Sequence, residues 1–249
     1  MLFSTKTITT RYEDIKDVKL VDFLGVESEQ LFAAHELWKD QPTIVIAIRR
    51  PGCQFCREEA VIFHEIRETL ESMGISMVCI VHEKVGADIF QQEFWKGKVY
   101  LDQDKGFYKA LGGGRLRTGG WGQLIRPYFW VNFVRNKHSG VKGNFIGDGS
   151  ILGGLFLLKS GSQGIAYEHI EKIWGDIAHP DKVLVACGQV TGVAVNKETI
   201  TKAQEDHDTL YNKMQKSQYA EGNDSGGAKS GSQTSAPSAS APSSSSPIA

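Results

Sequence analysis

The chain has 249 residues, with 28 Lys and Arg against 29 Asp and Glu, and its formal net charge at pH 7 is −1. This balance gives no reason to expect nucleic acid as a partner. The first ten residues lack the apolar core of a signal peptide, and no uncharged run reaches the roughly 18 residues that span a bilayer. We therefore expect a cytoplasmic protein without a membrane span, and the small number of cysteines, four, fits a reducing compartment.

Composition divides the chain into four parts. Residues 1–17 are predicted to be an N-terminal extension, and residues 18–190 contain enough aliphatic and aromatic side chains for one well-cored domain. Residues 191–219 are predicted to form a charged C-terminal helix. Residues 220–249 are rich in Ser, Ala, Pro and Gly and have almost no large apolar side chain. They cannot offset their ordering entropy and are predicted to be a disordered tail.

The order of apolar and polar residues predicts alternating strands and helices within the domain. The predicted strands are residues 18–23, 43–48, 75–81 and 99–102. The predicted helices are residues 27–38, 56–73, 87–95 and 105–111. A terminal hairpin is predicted at residues 154–159 and 164–169. This alternation is typical of a largely parallel sheet with helices on both faces.

A CxxC pair, Cys53 and Cys56, lies between the predicted buried strand 43–48 and the amphipathic helix that follows it. Pro51 and Gly52 end the strand and shape the approach to the helix. A cysteine at a helix start is favoured as the thiolate because unpaired backbone amides there stabilise an anion. The position is therefore typical of thiol-disulfide exchange chemistry.

Within this pair, Cys53 is the predicted nucleophile and Cys56 the predicted resolving thiol. Arg49, Arg50 and Arg57 lie within a few residues, and a close guanidinium lowers a thiol pKa by about one to two units. We assign the role of thiolate stabiliser to Arg50. Glu58 and Glu59 oppose the thiolate only if they point back towards the sulfur.

A structural zinc site is the main alternative for a CxxC pair. Four-ligand zinc sites usually need a second CxxC or a pair of histidines, and the remaining cysteines, Cys79 and Cys187, are isolated in apolar segments. We therefore expect no metal, and we expect these two cysteines to be small buried hydrophobic residues.

Residues 121–134 form an aromatic segment with two open interpretations. It contains Trp121, Tyr128, Phe129, Trp130 and Phe133 but is too short and polar to cross a membrane. It is either a helix packed on the sheet or an aromatic wall beside the cysteines that receives an apolar substrate.

Several separated motifs together resemble the peroxiredoxin-like 2 family, a group related to the AhpC/TSA antioxidant proteins. They are Arg49 to Ala60 around the cysteines, Tyr100-Leu101-Asp102, Phe107-Tyr108, Gly143-Asn144 and Gly147 to Phe156. The resemblance implies an α/β domain of thioredoxin-like fold, with a central mixed sheet flanked by helices. It also implies that Cys53 and Cys56 are the redox cysteines, that no cofactor is bound, and that NADPH supplies electrons through thioredoxin or another thiol donor.

The sequence departs from better-known relatives at four positions. Arg50 stands where a typical peroxiredoxin has Thr or Ser, and Ile46 where it has Pro. Gly153 stands where peroxiredoxins place an Arg before the Gly-Leu-Phe strand, and the lack of a side chain leaves room for a close approach to the sulfur. Arg126 is a candidate for the guanidinium charge that is missing at Gly153, and Ala47 stands where thioredoxins have a buried acid.

These features predict a thiol-dependent oxidoreductase of antioxidant type. The residues leave its substrate open between hydrogen peroxide, a lipid endoperoxide and a protein disulfide. The alternative from another class is a redox-inactive thioredoxin-fold adaptor that binds a protein partner through the charged helix and the Ser-rich tail.

Overall fold

The computed structural model describes residues 8–25 and 29–195. The charged stretch from residue 196 onward and the Ser-rich tail at 220–249 lie outside these residues. The described strands are β1 (Lys19–Asp22), β2 (Gln30–Ala33), β3 (Thr43–Ala47), β4 (Ser76–Val81), β5 (Val99–Leu101), β6 (Gly154–Leu158) and β7 (Ile165–Ile170). The described α-helices are α1 (Gln54–Glu65), α2 (Arg67–Ser72), α3 (Ala87–Ile89), α4 (Gly106–Leu111), α5 (Pro127–Ser139) and α6 (Pro180–Thr191).

The described strands form one mixed sheet in the order β2-β1-β5-β4-β3-β6-β7. Strand β3 pairs with β4, and β4 with β5, in parallel, whereas the pairs towards both edges are antiparallel. The expectation of a largely parallel sheet is therefore wrong outside the three central strands. The predicted terminal hairpin is confirmed as β6 and β7, and short connections of this kind join antiparallel neighbours.

The predicted helix over residues 27–38 is also wrong in its first half. Strand β2 occupies Gln30–Ala33 and pairs with β1, placing Leu20 opposite Phe32. A 3₁₀-helix, Ala34–Trp38, follows. The antiparallel pairing with β1 outweighs the local helical pattern, because strand formation depends on tertiary neighbours more than on intrinsic preference.

The predicted apolar face of the helix after the cysteines is confirmed. The five residues predicted to form this face are all buried. The chain leaves the helical conformation at Ile66, where φ is −93° and ψ is 4°, and α2 is therefore a separate helix. These buried residues are Ala60, Phe63, Ile66, Leu70 and Met73. The helix α1 therefore lies flat on the sheet and its N-terminus has a fixed position.

The core has two parts, one on each face of the sheet. Ile44 and Ile46 of β3 point towards α1 and α6, whereas Val45 and Ala47 point towards Trp38 and the α4 side. Every residue of β3 is buried, as expected for a strand covered on both faces.

The N-terminal residues before β1 pack on the second face of the sheet. Ile15 is fully buried, and the backbone N–H of Thr10 donates to Glu168. Within residues 8–25 and 29–195, no helix has both the length and the apolar character needed to cross a bilayer.

Candidate active site

The cysteine pair lies where β3 ends and α1 begins. After Ala47 the chain turns through Pro51 and Gly52, and Cys53 is the N-cap residue of α1, with φ −71° and ψ 127°. The backbone N–H of Cys53 donates to the carbonyl of Arg50 at 3.2 Å. Cys56 follows in the first turn of α1, so the predicted placement of the pair at a helix start is confirmed.

Arg49 holds the sulfur of Cys53. Its Nη2 lies 2.8 Å from the Sγ of Cys53, and Cys53 is only 3% exposed. Its Nε lies 3.3 Å from Oε1 of Glu171, and its Nη1 donates to the carbonyl of Gly149 at 3.1 Å. The guanidinium also lies over the ring of Trp174, 5.3 Å from the centroid. These contacts on all sides fix the charge of Arg49 beside the thiol.

The two thiols of the pair have opposite protonation preferences. Burial raises the pKa of Cys53, but the hydrogen bond from Cys56, the charge of Arg49 and the backbone N–H groups of Cys56 and Phe55 outweigh it and lower the pKa to about 5. Burial and the neighbouring Cys53 raise the pKa of Cys56 well above its usual value. At neutral pH, Cys53 is therefore the thiolate and Cys56 the thiol that donates to it.

Arg50, the predicted thiolate stabiliser, makes other contacts. Its Nη1 donates to the carbonyl of Ile146 at 3.0 Å, and its guanidinium lies over the ring of Phe145, 5.6 Å from the centroid. The guanidinium that contacts the Sγ of Cys53 is that of Arg49. Arg126, the other candidate for a compensating charge, is the N-cap residue of α5 and lines a surface cavity with Lys172.

The segment after α5 closes over the turn that precedes Cys53. The carbonyl of Gly52 accepts a hydrogen bond from the backbone N–H of Asn144 at 2.7 Å. A Cβ at Gly52 would lie 2.0 Å from Oδ1 of the same asparagine, so any larger residue would displace that side chain. Together with the contacts of Arg49 to Gly149 and of Arg50 to Ile146, this hydrogen bond ties residues 144–149 to the turn.

Two buried carboxyl groups lie beside the pair: Glu59, which the sequence analysis named, and Glu171, which it missed. Glu171 accepts hydrogen bonds from the backbone N–H of Gly153 at 2.8 Å and of Gly175 at 3.2 Å. Burial raises its pKa to about 7. Burial and the charge of Glu171 raise the pKa of Glu59 to about 8. A cavity of about 10 Å³, enough for about one water molecule, is lined by both carboxyl groups and by Cys56.

The hairpin register is the signal that predicts the place of Glu171. Gly154 pairs with Ile170, so the residue after β7 lies beside Gly153, next to the end of β3. Gly153 itself packs against the neighbouring strand, because a Cβ there would lie 2.0 Å from the carbonyl oxygen of Ala47. The space expected above this glycine is therefore filled by backbone.

Glu58, Cys79 and Cys187, which the sequence analysis also considered, do not contact the sulfur of Cys53. Glu58 points away from the sulfur and pairs with Arg135 of α5, with 3.0 Å between Oε1 and Nε. Cys79 and Cys187 are fully buried, which confirms their packing role, and burial raises the pKa of both thiols.

The aromatic segment is a helix, but it packs on α1. The ring of Phe129 lies 6.3 Å from that of Phe55, the residue between the two cysteines. The carbonyl of Gln54 accepts a hydrogen bond from Asn136. Phe129 therefore borders the cysteine turn and Phe133 packs half-buried against the core, whereas Tyr128 and Trp130 lie on the outside of the helix.

Known proteins resemble this chain in sequence and in fold. The AhpC/TSA antioxidant enzyme family matches residues 63–173, a region that begins after the cysteine pair. Peroxiredoxin-like 2A of Xenopus tropicalis is 36% identical over 190 residues, which cover 76% of this chain and 81% of the relative. Peroxiredoxin-like 2A of Homo sapiens is 35% identical over 191 residues, with similar coverage of 76% and 80%.

A solved structure with a similar fold is that of reduced Prx3 from Vibrio vulnificus in complex with H₂O₂. It is 13% identical, covers 72% of this chain and 99% of its own, and superposes with a TM-score of 0.51. This likeness concerns the fold alone, and it agrees with the thioredoxin-like arrangement of the sheet and helices. The sequence identity of 36% to Peroxiredoxin-like 2A, over 76% of this chain, shows the family as well as the fold. The chain belongs to the peroxiredoxin-like 2 family.

Proposed function

We propose that this protein is a thiol-dependent peroxidase in which Cys53 attacks a small peroxide and Cys56 resolves the product. The observation that carries the proposal is the 2.8 Å contact between Arg49 Nη2 and the Sγ of Cys53 at the start of α1. A buried cysteine with a purely structural role needs no guanidinium at its sulfur, and a thiolate does. The match to an antioxidant enzyme family supports the same chemistry.

In the first step the thiolate of Cys53 attacks one peroxide oxygen. An S–O bond forms, the O–O bond breaks, and the cysteine is oxidised to a sulfenic acid, while the departing alkoxide or hydroxide takes a proton from water and leaves as an alcohol or water. Arg49 contacts the sulfur, and we expect its charge also to stabilise the negative charge that develops on the departing oxygen.

In the second step the sulfur of Cys56 attacks the sulfur of Cys53, forming a disulfide and releasing water. Cys56 must lose its proton, and its raised pKa makes a proton acceptor necessary. Glu59, one helical turn later, and Glu171 line the same small cavity as Cys56. Their pKa values of about 8 and about 7 are suited to proton exchange at neutral pH.

The burial of Cys53 favours a small peroxide among the candidate substrates. Its sulfur lies under the turn and beside residues 144–149, which are tied to the turn by three hydrogen bonds. A hydroperoxide group is small enough to reach a cysteine that is only 3% exposed, whereas a lipid endoperoxide or a protein disulfide requires this segment to move.

A dithiol reductant of the thioredoxin type, recharged by NADPH, completes the cycle, and a small thiol is the alternative donor. It reduces the Cys53–Cys56 disulfide by exchange and returns both thiols. No bound cofactor takes part in these steps.

The test is peroxide-dependent NADPH oxidation with thioredoxin and thioredoxin reductase. We expect turnover by the full chain, none by Cys53→Ser, and a Cys56→Ser variant that forms the sulfenic acid but not the intramolecular disulfide. Cys187→Ser is the matched control and should retain full turnover. A wild-type chain that neither consumes peroxide nor shifts between dithiol and disulfide would refute the enzyme and favour the redox-inactive adaptor.

A further inference from the structure

Helix α5 has two amide side chains on its buried face, beside Phe129, and a row of apolar side chains on its outward face. Asn132 and Asn136 point inward, are each 1% exposed, and donate hydrogen bonds to the carbonyls of Trp174 and Gln54. The outward face instead carries an apolar row, Trp130, Val131 and Val134. An ordinary surface helix buries the apolar residues and exposes the amides.

The exposed apolar surface continues onto the 3₁₀-helix before α5, Trp121–Ile125. Trp121 is 79% exposed and Ile125 86% exposed. The two helices are joined by a hydrogen bond of 2.8 Å from Nε1 of Trp130 to the carbonyl of Leu124. We name the combined surface the aromatic face, and its residues are Trp121, Ile125, Tyr128, Trp130, Val131 and Val134.

The chain segment that carries the aromatic face has basic residues and no acidic ones, although Asp176 and Asp181 line the cavity that Arg126 and Tyr128 border. Residues 105–147 contain eight Lys and Arg and no Asp or Glu, in a chain whose overall net charge is −1. Arg126 at the start of α5 and Lys137 near its end are exposed. The acidic residue of α1 that faces α5, Glu58, is buried and already paired with Arg135.

We propose that the aromatic face docks the protein reversibly on the surface of an anionic lipid bilayer. Trp and Tyr side chains prefer the boundary between lipid and water, and flanking cations are attracted to acidic headgroups. The helix then lies in the plane of the membrane with its outward face buried, which accounts for the apolar side chains on that face. A second copy of the same chain is a poor occupant, because two faces of the same positive charge repel each other.

The experiment is flotation of the full-length reduced protein with phosphatidylcholine vesicles, prepared with and without phosphatidylserine. We expect partition onto the anionic vesicles, weak partition onto the neutral ones, and loss of binding at high salt. Tryptophan emission should shift to shorter wavelength on binding, because Trp121 and Trp130 leave water. No binding to anionic vesicles, or binding that ignores salt and lipid charge, would overturn the proposal.

Variants identify the surface that binds. The double variant Val131→Ser/Val134→Ser should weaken partition by at least about tenfold, because two apolar side chains no longer enter the boundary. Lys137→Gln should weaken it by about fivefold. The matched control, Leu31→Ser/Ile89→Ser, removes two exposed apolar residues outside residues 105–147 and should bind as the wild type does.

Two further measurements separate membrane binding from catalysis and from dimer formation through the aromatic face. Peroxide reduction without vesicles should be unchanged in the Val131→Ser/Val134→Ser variant, so vesicle binding is judged independently of catalysis. If the wild type is a dimer in solution and this variant is a monomer, the aromatic face is an interface between copies and the membrane proposal fails. Equal vesicle binding by the variant and by its control would also refute it.

Discussion

Two arginines that follow each other in the sequence, Arg49 and Arg50, have different surroundings in the structure. The sequence predicted that a guanidinium near Cys53 stabilises the thiolate, and it offered three candidates within a few residues. Glu171 and Gly149 orient Arg49 towards the sulfur, whereas Ile146 and Phe145 hold Arg50. All four partners lie about a hundred residues away in the chain, so local sequence could not distinguish the two arginines.

We predict that Arg49→Gln raises the pKa of Cys53 by about one to two units, because the sulfur loses a positive charge at hydrogen-bonding distance. With the wild-type pKa at about 5, the thiolate fraction increases as pH rises through 5 and is nearly complete at pH 6. In the variant the same increase occurs at higher pH, so alkylation of Cys53 at pH 6 should slow by roughly two- to tenfold. The rates at pH 9 should differ little.

The measurement is the rate of iodoacetamide modification of Cys53 against pH, followed by mass spectrometry of the peptide that contains it. Arg50→Gln is the matched control and should leave the midpoint near pH 5. Arg49→Lys, which keeps the charge, should restore part of the shift. A larger shift for Arg50→Gln than for Arg49→Gln would show that the thiolate partner is Arg50, as the sequence analysis assigned it.

At the scale of elements, the two helices beside the site differ in how well sequence predicts them. The helix α1 follows the usual rule, and its buried face could be predicted from the spacing of Ala60, Phe63 and Ile66. The helix α5 was expected to pack through its aromatic residues, yet Asn132 and Asn136 share its buried face. The inward position of these two asparagines could not be predicted, because their hydrogen-bond acceptors lie on other parts of the chain.

The inward amides of α5 should therefore contribute to stability. Asn136 donates to Oε2 of Glu58 at 3.0 Å and to the carbonyl of Gln54 at 3.2 Å, and both Asn136 and Glu58 are buried. We predict that Asn136→Ala lowers the free energy of unfolding by about 1–3 kcal/mol, because a buried carboxylate loses one of its donors. Urea unfolding of the reduced protein measures this change.

The control for this prediction is the neighbouring exposed residue. Lys137→Ala should change the free energy of unfolding by no more than about 0.5 kcal/mol, since Lys137 lies on the solvent side of α5. Equal effects of the two substitutions would mean that the inward amides do not hold α5 on α1.

For the whole molecule, the central part of the sheet could be predicted and its edges could not. The strands β3, β4 and β5 have the apolar runs and intervening helices that indicate parallel neighbours. The strand β2 was predicted to be helical, because a four-residue edge strand with an exposed Leu31 has no strong pattern of its own. The predicted boundary at residue 18 also depends on long-range packing, since Ile15 is buried among residues far away in sequence.

We predict that the two ends of the chain contribute unequally to the folded domain. Deletion of residues 1–17 removes Ile15 from the core and the partner of Glu168, and burying one such side chain is worth about 1.5–3 kcal/mol. This deletion should lower the unfolding midpoint in urea. Deletion of residues 196–249 leaves α6 in place, with Val183, Leu184 and Cys187 in the core, and should leave the midpoint unchanged. A large loss of stability on removing 196–249, or none on removing 1–17, would refute this assignment of the domain's boundaries.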